Sequence, residues 1–262
     1  MKVTYFPGCT LKTKAKELDL YARRCAEALG VTLEEAEDWQ CCGGVFTASR
    51  DEIATKLSSV RVLQTAFEKD QPLVTVCSAC HNVVKQTNHA LQTDSAFAEA
   101  VNRYMQNPVP YVGQTRVLHY LELLRDEIGF DAIRDKVTDA LKGRRIAAYY
   151  GCLLLRPSGV MRMDDPENPR IMEDLLTAMG ATPVLWAQRN ECCGGYIAME
   201  DRALALSESE AILKNAAAAG ADTVVTACPL CRYNLQKVAG NVKVVYLTEL
   251  LAEALGIKEE PQ

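Results

Sequence analysis

The sequence predicts an α/β fold made of two tandem halves, each a small parallel sheet flanked by helices. Three observations carry that expectation. Short β-branched runs alternate with longer stretches of helical apolar spacing. The same order of cysteines occurs twice along the chain, and the residues flanking those cysteines agree between the two copies.

The elements follow in chain order. "KVTYF" (2–6) is a β-rich run leading to Gly8 and Cys9, and "RIAAYY" (145–150) repeats it ahead of Gly151 and Cys152. "KELDLYARRCAEALG" (16–30) has apolar residues at helical spacing and stops at Gly30, a natural helix terminator. "PLVTVC" (72–77) and "DTVVTAC" (222–228) are compact β-branched runs typical of buried parallel strands. "IATKLSSVRVLQTAFEKD" (53–70) and "ALALSESEAILKNAAAAG" (203–220) read as helices, and "VLHYLELL" (117–124) matches "VVYLTELL" (244–251). The copies meet near "LKGRR" (141–145), which divides the chain into domains 1–142 and 143–262.

Composition bounds the function. With 262 residues, 48% hydrophobic and 24% charged, the chain has ample material for cores. A net charge of −5 without a Lys/Arg tract speaks against a nucleic-acid surface. The longest apolar run, "IAAYYGCLLL" (146–155), is far short of the ~18 residues of a membrane span. The start passes straight into a strand-like pattern with no secretory signal, so the expected location is cytoplasmic. Eleven cysteines in a reducing compartment point to metal binding or redox work rather than disulfides.

The first series is Cys9, Cys41, Cys42, Cys77 and Cys80; the second is Cys152, Cys192, Cys193, Cys228 and Cys231. In both, 34 residues separate the adjacent pair from the Cys-x-x-Cys, while the spacer before the pair is 31 residues in one and 39 in the other. Every motif cysteine falls just past a predicted strand end. The carboxyl edge of an open parallel sheet is where ligand sites gather, so three stretches per half converge on one spot. Cys25 is the exception; it shares the apolar face of its helix with Leu18, Ala22 and Leu29 and reads as a small buried thiol.

Zinc and cubane [4Fe–4S] sites take four ligands, and each half offers five thiols. Either one cysteine is a bystander, or the bound object has more than one metal centre and takes all five. Gly43, Gly44, Gly194 and Gly195 follow the pairs and leave room for backbone amides to approach a sulfide or a substrate. Helices starting at these glycines would aim their positive ends at an anionic group.

Two copies of Cys-x31–39-Cys-Cys-Gly-x33-Cys-x2-Cys form the signature of the cysteine-rich "CCG" domain. From residue 1 to about 256 the chain resembles the family of heterodisulfide reductase B-type subunits, bacterial type, most closely in "YFPGCTLKTKAKELDLYARRCAEALGV", "EDWQCCGG", "YYGCLLLRP" and "ACPLC". The resemblance implies two non-cubane [4Fe–4S] clusters, each held by the five cysteines of one series. It implies a disulfide placed between facing clusters and cleaved with one sulfur at each, with no catalytic residues beyond the cluster ligands. No ferredoxin-type cysteine run and no glycine-rich nucleotide fingerprint is present, so electrons must come from elsewhere. In this family the partners are a ferredoxin-like C-type subunit and a flavin-containing A-type one.

The chain departs from the methanogen members at three positions beside ligands. Leu153 and Arg232 stand where those tend to have histidine, and His81 where they have tyrosine. This leaves the coenzyme M–coenzyme B disulfide open against another disulfide, a sulfur-carrier thiol or an oxidised sulfur compound. Candidate substrate contacts are His81, Arg232, Leu153, Arg156, Gly44 and Gly195, with Arg162 and Arg170 on the inserted stretch 156–170 as a candidate cap over an anionic substrate. His89 and His119 read as structural, and Trp39 and Trp186 as packing beneath the cysteine pairs. Two alternatives remain: an electron-transfer subunit of a lactate, glycolate or succinate dehydrogenase-type system, and zinc in one or both halves.

Overall fold

The computed structural model describes residues 1–44, 52–238, 240 and 242–258. Two four-stranded sheets, parallel throughout, carry the two halves. In the first, β1 (Lys2–Phe6) lies between β2 (Thr32–Glu35) and β3 (Leu73–Thr75), and β4 (Val117–His119) adds beyond β3. In the second, β5 (Arg145–Tyr149), β6 (Thr182–Val184), β7 (Thr223–Thr226) and β8 (Lys243–Tyr246) repeat that order as β6-β5-β7-β8. β3 and β7 are buried along their whole length, as strands covered on both faces must be.

Helices fill the crossovers. α1 (Gly8–Thr13) and α2 (Lys16–Ala28) follow β1, α3 (Glu52–Glu68) leads to β3, and α4 (Ser78–Thr93) and α5 (Ser95–Met105) follow it. After β4, α6 (Tyr120–Glu122) widens into a π-helical turn, Leu123–Ile128, before α7 (Phe130–Arg134). The second half has α8 (Ser158–Met161), α9 (Ile171–Ala178), α10 (Arg202–Ala218), α11 (Pro229–Leu235) and α12 (Leu247–Ala254). α2 packs on α12, where the Thr248 hydroxyl donates to the Leu18 carbonyl at 3.1 Å. Cys25 is fully buried there and burial pushes its thiol up to about 12.

The halves join where β3 and β7 end. The Tyr246 hydroxyl reaches the Val76 carbonyl at 2.7 Å and the Ala227 carbonyl at 2.9 Å. Ser78, from the first half, donates its amide and hydroxyl to the same Ala227 carbonyl at 3.3 and 2.8 Å. His119 Nε2 lies 3.1 Å from the Val76 carbonyl. His119 and Tyr246 hold the same place in the two copies. Each ends its last strand and opens the next helix, with its own backbone N–H donated to a carboxylate, Glu122 or Glu249, three residues on.

The Leu121 amide donates to His119 Nδ1 at 3.2 Å, so the ring is neutral with its proton on Nε2. Burial lowers its pKa to about 3 from 6.5. The unfolded chain therefore binds the extra proton between those values, and stability falls as pH drops through that window. The thermal midpoint is expected to decline steadily below about pH 6.5, with His119→Gln flattening that decline. Tyr246→Phe removes a shared donor from two carbonyls that Ser78 and His119 still reach, and is expected to cost about 0.5–1.5 kcal/mol in chemical denaturation.

Candidate metal centre

The carboxyl edges of both sheets face the seam, and the cysteines gather there. In the first half, Cys9 and Cys41 Sγ are 3.5 Å apart, as are Cys42 and Cys80 Sγ, with Cys77 beside Cys80. In the second, Cys193 and Cys231 Sγ are 3.5 Å apart, Cys152 donates to Cys192, and Cys228 adjoins Cys231. All five second-half cysteines line one small cavity of about 30 Å³, together with Leu153, Gly195, Tyr196 and, from the first half, Ser78.

Within each set the thiols hydrogen-bond to one another. Hydrogen bonds shared with Cys41 and then Cys80 pull Cys42 far below the ordinary thiol range, to about 3. Cys192 is lowered to about 6, chiefly by Cys152 and then by the amides of Gly194 and Gly195. Cys228 is lowered by Cys231 and by amides that include Ala79 of the first half. Amides of Gly43 and Gly44 reach Cys41 and Cys42 in the same way. Among the described residues no three side chains stand ready to hold one metal ion, and what the site offers a thiolate-bound group is paired sulfurs. Two sulfurs on one tetrahedral metal at 2.3 Å stand roughly 3.7 Å apart, close to the pairs seen here. The partners in these bonds, Cys41, Cys80, Cys152 and Cys231, are pushed up in turn, so each set holds its protons until a cationic centre takes their place.

Gly8 and Gly151 border the candidate site, and cysteine spacing alone did not single them out. Both have positive φ, +77° and +63°, and both seat a sulfur. A Cβ at Gly8 would stand 2.8 Å from Cys80 Sγ, and one at Gly151 3.1 Å from Cys231 Sγ. The available signal was the shared Gly-Cys step after β1 and β5. Tyr196 is the other residue missed. Its ring lines the second-half cavity, and its hydroxyl lies 3.5 Å from where a Gly44 Cβ would stand, so it spans the two halves.

The helix expectation at the glycine pairs needs correction. Gly194 and Gly195 run into a 3-10 turn, Ile197–Met199, and α10 begins only at Arg202. Asp201 caps it, accepting from the Leu204 amide at 2.9 Å, so its positive end is already used. The chain after Gly44, residues 45–51, lies outside the described residues. The helices that do start at sulfur are α4 and α11, whose N-caps are Cys77 and Cys228.

Leu153, Gly195 and Gly44 lie at the cysteine sets. His81 and Arg232 are turned away from them. One residue past a ligand on a helix points about 100° round the axis. His81 is fully buried, its ring 5.4 Å from that of His119 and its Nε2 3.4 Å from Glu122. Arg232 occupies the matching place and pairs with Glu249 at 2.9 Å and Glu17 at 3.2 Å. None of the three inserted arginines lines the cysteine cavity. Arg156 pairs with Glu167 in solvent, Arg170 stands 4.0 Å from Asp174, and Arg162 lines a separate polar cavity with Lys85, His89 and Glu122.

The inserted loop instead positions Cys152. Asn82 of α4 donates to the Leu153 and Arg156 carbonyls, both at 2.7 Å, clamping the second-half cysteine loop to the first half. Trp186 is buried and donates to the Ala148 carbonyl at 2.9 Å; Trp39 packs edge-on against Phe6. His119 is buried in the seam, and His89 lies at the rim of the polar cavity that Arg162 lines.

The model for the CCG cysteine-rich domain matches residues 3–85 and 146–236. The chain belongs to that family and carries its domain twice. It is 31% identical to the 8-methylmenaquinol:fumarate reductase membrane anchor subunit of Wolinella succinogenes, over 97% of this chain and 92% of that one. It is 26% identical to the B subunit of the ferredoxin:CoB-CoM heterodisulfide reductase of Methanosarcina mazei, over 99% and 91% of the two chains. A protein of Archaeoglobus profundus that is itself like the heterodisulfide reductase B subunit is 25% identical over 99% and 92%. A solved structure, a hypothetical protein from Helicobacter pylori, shares the fold with a TM-score of 0.75 at 10% identity; it covers 98% of this chain, which spans about half of that one, 49%. Among the described residues no helix is long and apolar enough to cross a membrane.

Gly8→Ala and Gly151→Ala force both a left-handed alanine and a clash with sulfur. Each is expected to cost at least about 1–2 kcal/mol in denaturation under reducing conditions. Gly159→Ala, with no atom within 4 Å of its Cβ, should stay within about 0.5 kcal/mol.

Proposed function

We propose that the chain is the iron–sulfur catalytic subunit of a heterodisulfide reductase-like complex. It reduces, or forms, a disulfide held between two metal centres. The observation that carries this reading is the adjacency of the two five-cysteine sets across one seam. An amide of Ala79 reaches Cys228, and Tyr196 extends from the second set to Gly44 beside the first.

The ligands are Cys9, Cys41, Cys42, Cys77 and Cys80 for one centre and Cys152, Cys192, Cys193, Cys228 and Cys231 for the other. Linked sulfur pairs of this kind suit a polynuclear group better than a single ion. When bound, two non-cubane [4Fe–4S] clusters supply two electrons and an iron site for each sulfur of the disulfide. The protein's part is to hold the sets at a fixed separation, to direct glycine amides at the thiolates, and to bury the inner sulfurs from water. The reaction R–S–S–R′ plus two electrons gives two thiolates, one for each half. The electrons come from a ferredoxin-like partner, itself served by a flavin-containing one.

A second reading has a specific observation behind it, the 31% identity to a fumarate reductase subunit over nearly the whole chain. On that reading the same centres relay electrons within a larger oxidoreductase, and the gap holds no disulfide.

Metal analysis after anaerobic isolation is expected to find about eight irons with matching acid-labile sulfide per chain. About four irons with one zinc would leave a single working half, and zinc alone would end the redox reading. Adding 2-mercaptoethanol under mild oxidation is expected to produce a new EPR signal that Cys193→Ser abolishes. A full iron content with no thiol-dependent signal favours the relay.

A further inference from the structure

The face beside the second cysteine set combines features that the cluster chemistry leaves unused. A groove of about 310 Å³ runs between the 196–206 segment and α11, walled by Tyr196, Met199, Leu206, Leu230 and Tyr233. Met199 is 72% exposed and Tyr233 56%, with Ile197 and Leu204 exposed alongside. Several large apolar side chains gathered on one face mark an interaction site rather than ordinary scatter.

The rim is cationic. Arg202 and Lys237 line the groove, Lys14 lies within electrostatic reach of Tyr233, and no acidic residue is among the groove's lining. Lys237 Nζ sits 3.7 Å over the Tyr233 ring and donates to its hydroxyl. Among the described residues none of these three cations forms a salt bridge, in a chain whose net charge is −5. The groove is also continuous with the metal site, because Gly195 and Tyr196 line both it and the cysteine cavity.

We infer that this face is the docking surface for the protein that exchanges electrons with the second centre, a partner presenting carboxylates around a projecting apolar side chain. The inference rests on the redox reading above. Charge complementarity orients such a partner. The concavity takes an anchoring side chain, as interface hot spots do, which a flat lipid surface cannot supply. Docking here leaves the Gly195–Tyr196 segment and Leu230 between partner and cysteines.

The test uses the holo chain, isolated anaerobically, and a chemically reduced bacterial [4Fe–4S] ferredoxin as an acidic donor, with cluster bleaching followed by stopped flow. The second-order rate is expected to fall about tenfold or more between about 20 and about 500 mM NaCl. Arg202→Glu combined with Lys237→Glu, and Met199→Glu separately, should each slow it about tenfold at low salt, while Lys142→Glu elsewhere on the surface leaves it unchanged. Dithionite should bleach every variant as it does the wild type. A wild-type chain that ferredoxin does not reduce, a rate indifferent to salt, or variants as fast as wild type overturn the inference. So does retention of the wild type on phosphatidylglycerol vesicles with loss in the charge-reversed variant, which gives the face to a membrane. A chain that even dithionite cannot bleach instead fails the redox reading.

Discussion

The structure depends on two backbone carbonyls. Val76 and Ala227 each precede a Cys-x-x-Cys, at the point where an inner strand leaves its sheet. A buried carbonyl without a donor is costly, and here the donors come from the opposite half as well as from the same one: the single Tyr246 hydroxyl shared between the two, Ser78 to Ala227, His119 to Val76. That exchange fixes the carboxyl edges of the two sheets against each other. Cys77 and Cys228 lie one residue further on, so satisfying the carbonyls also sets the separation of the two sulfur sets. Packing of α2 on α12 and the Asn82 clamp on the Cys152 loop reinforce the same arrangement.

Much of the fold was legible because the chain states it twice. Equal spacing from paired cysteines to Cys-x-x-Cys, and β-branched runs ahead of each, were enough to expect two parallel sheets with cysteines at their carboxyl edges. Side-chain direction was harder to read. His81 and Arg232 stand next to ligands in the sequence, yet the helical turn carries both away from the gap, Arg232 to pair with Glu249 and His81, neutral through burial, to lie against His119 near Glu122. Proximity along a helix is not proximity in space.

The glycines illustrate a similar limit. Those after the cysteine pairs suggested helix starts, but Asp201 was the real cap signal, six residues further on. Gly8 and Gly151 had no visible partner, because the sulfur each accommodates lies more than seventy residues away. The arginines of the inserted stretch looked suited to an anionic substrate; the fold uses that stretch to hold a cysteine loop, and asparagine amide geometry at that distance leaves no mark in a sequence.

The pairing of His119 with Tyr246 bears on how the molecule is assembled. They are the same position in two copies of one unit, but each makes a different bond to a shared pair of carbonyls. A symmetric dimer of either half alone would bring two tyrosines or two histidines to that place. Two copies of the second half would carry Pro229 where Ser78 donates its amide and hydroxyl, and two copies of the first would lack the tyrosine that spans both carbonyls. The join has thus diverged into two unlike sides, each supplying donors that the other lacks. Covalent linkage in one chain brings each copy to the other kind, so one polypeptide supplies both sides of the seam.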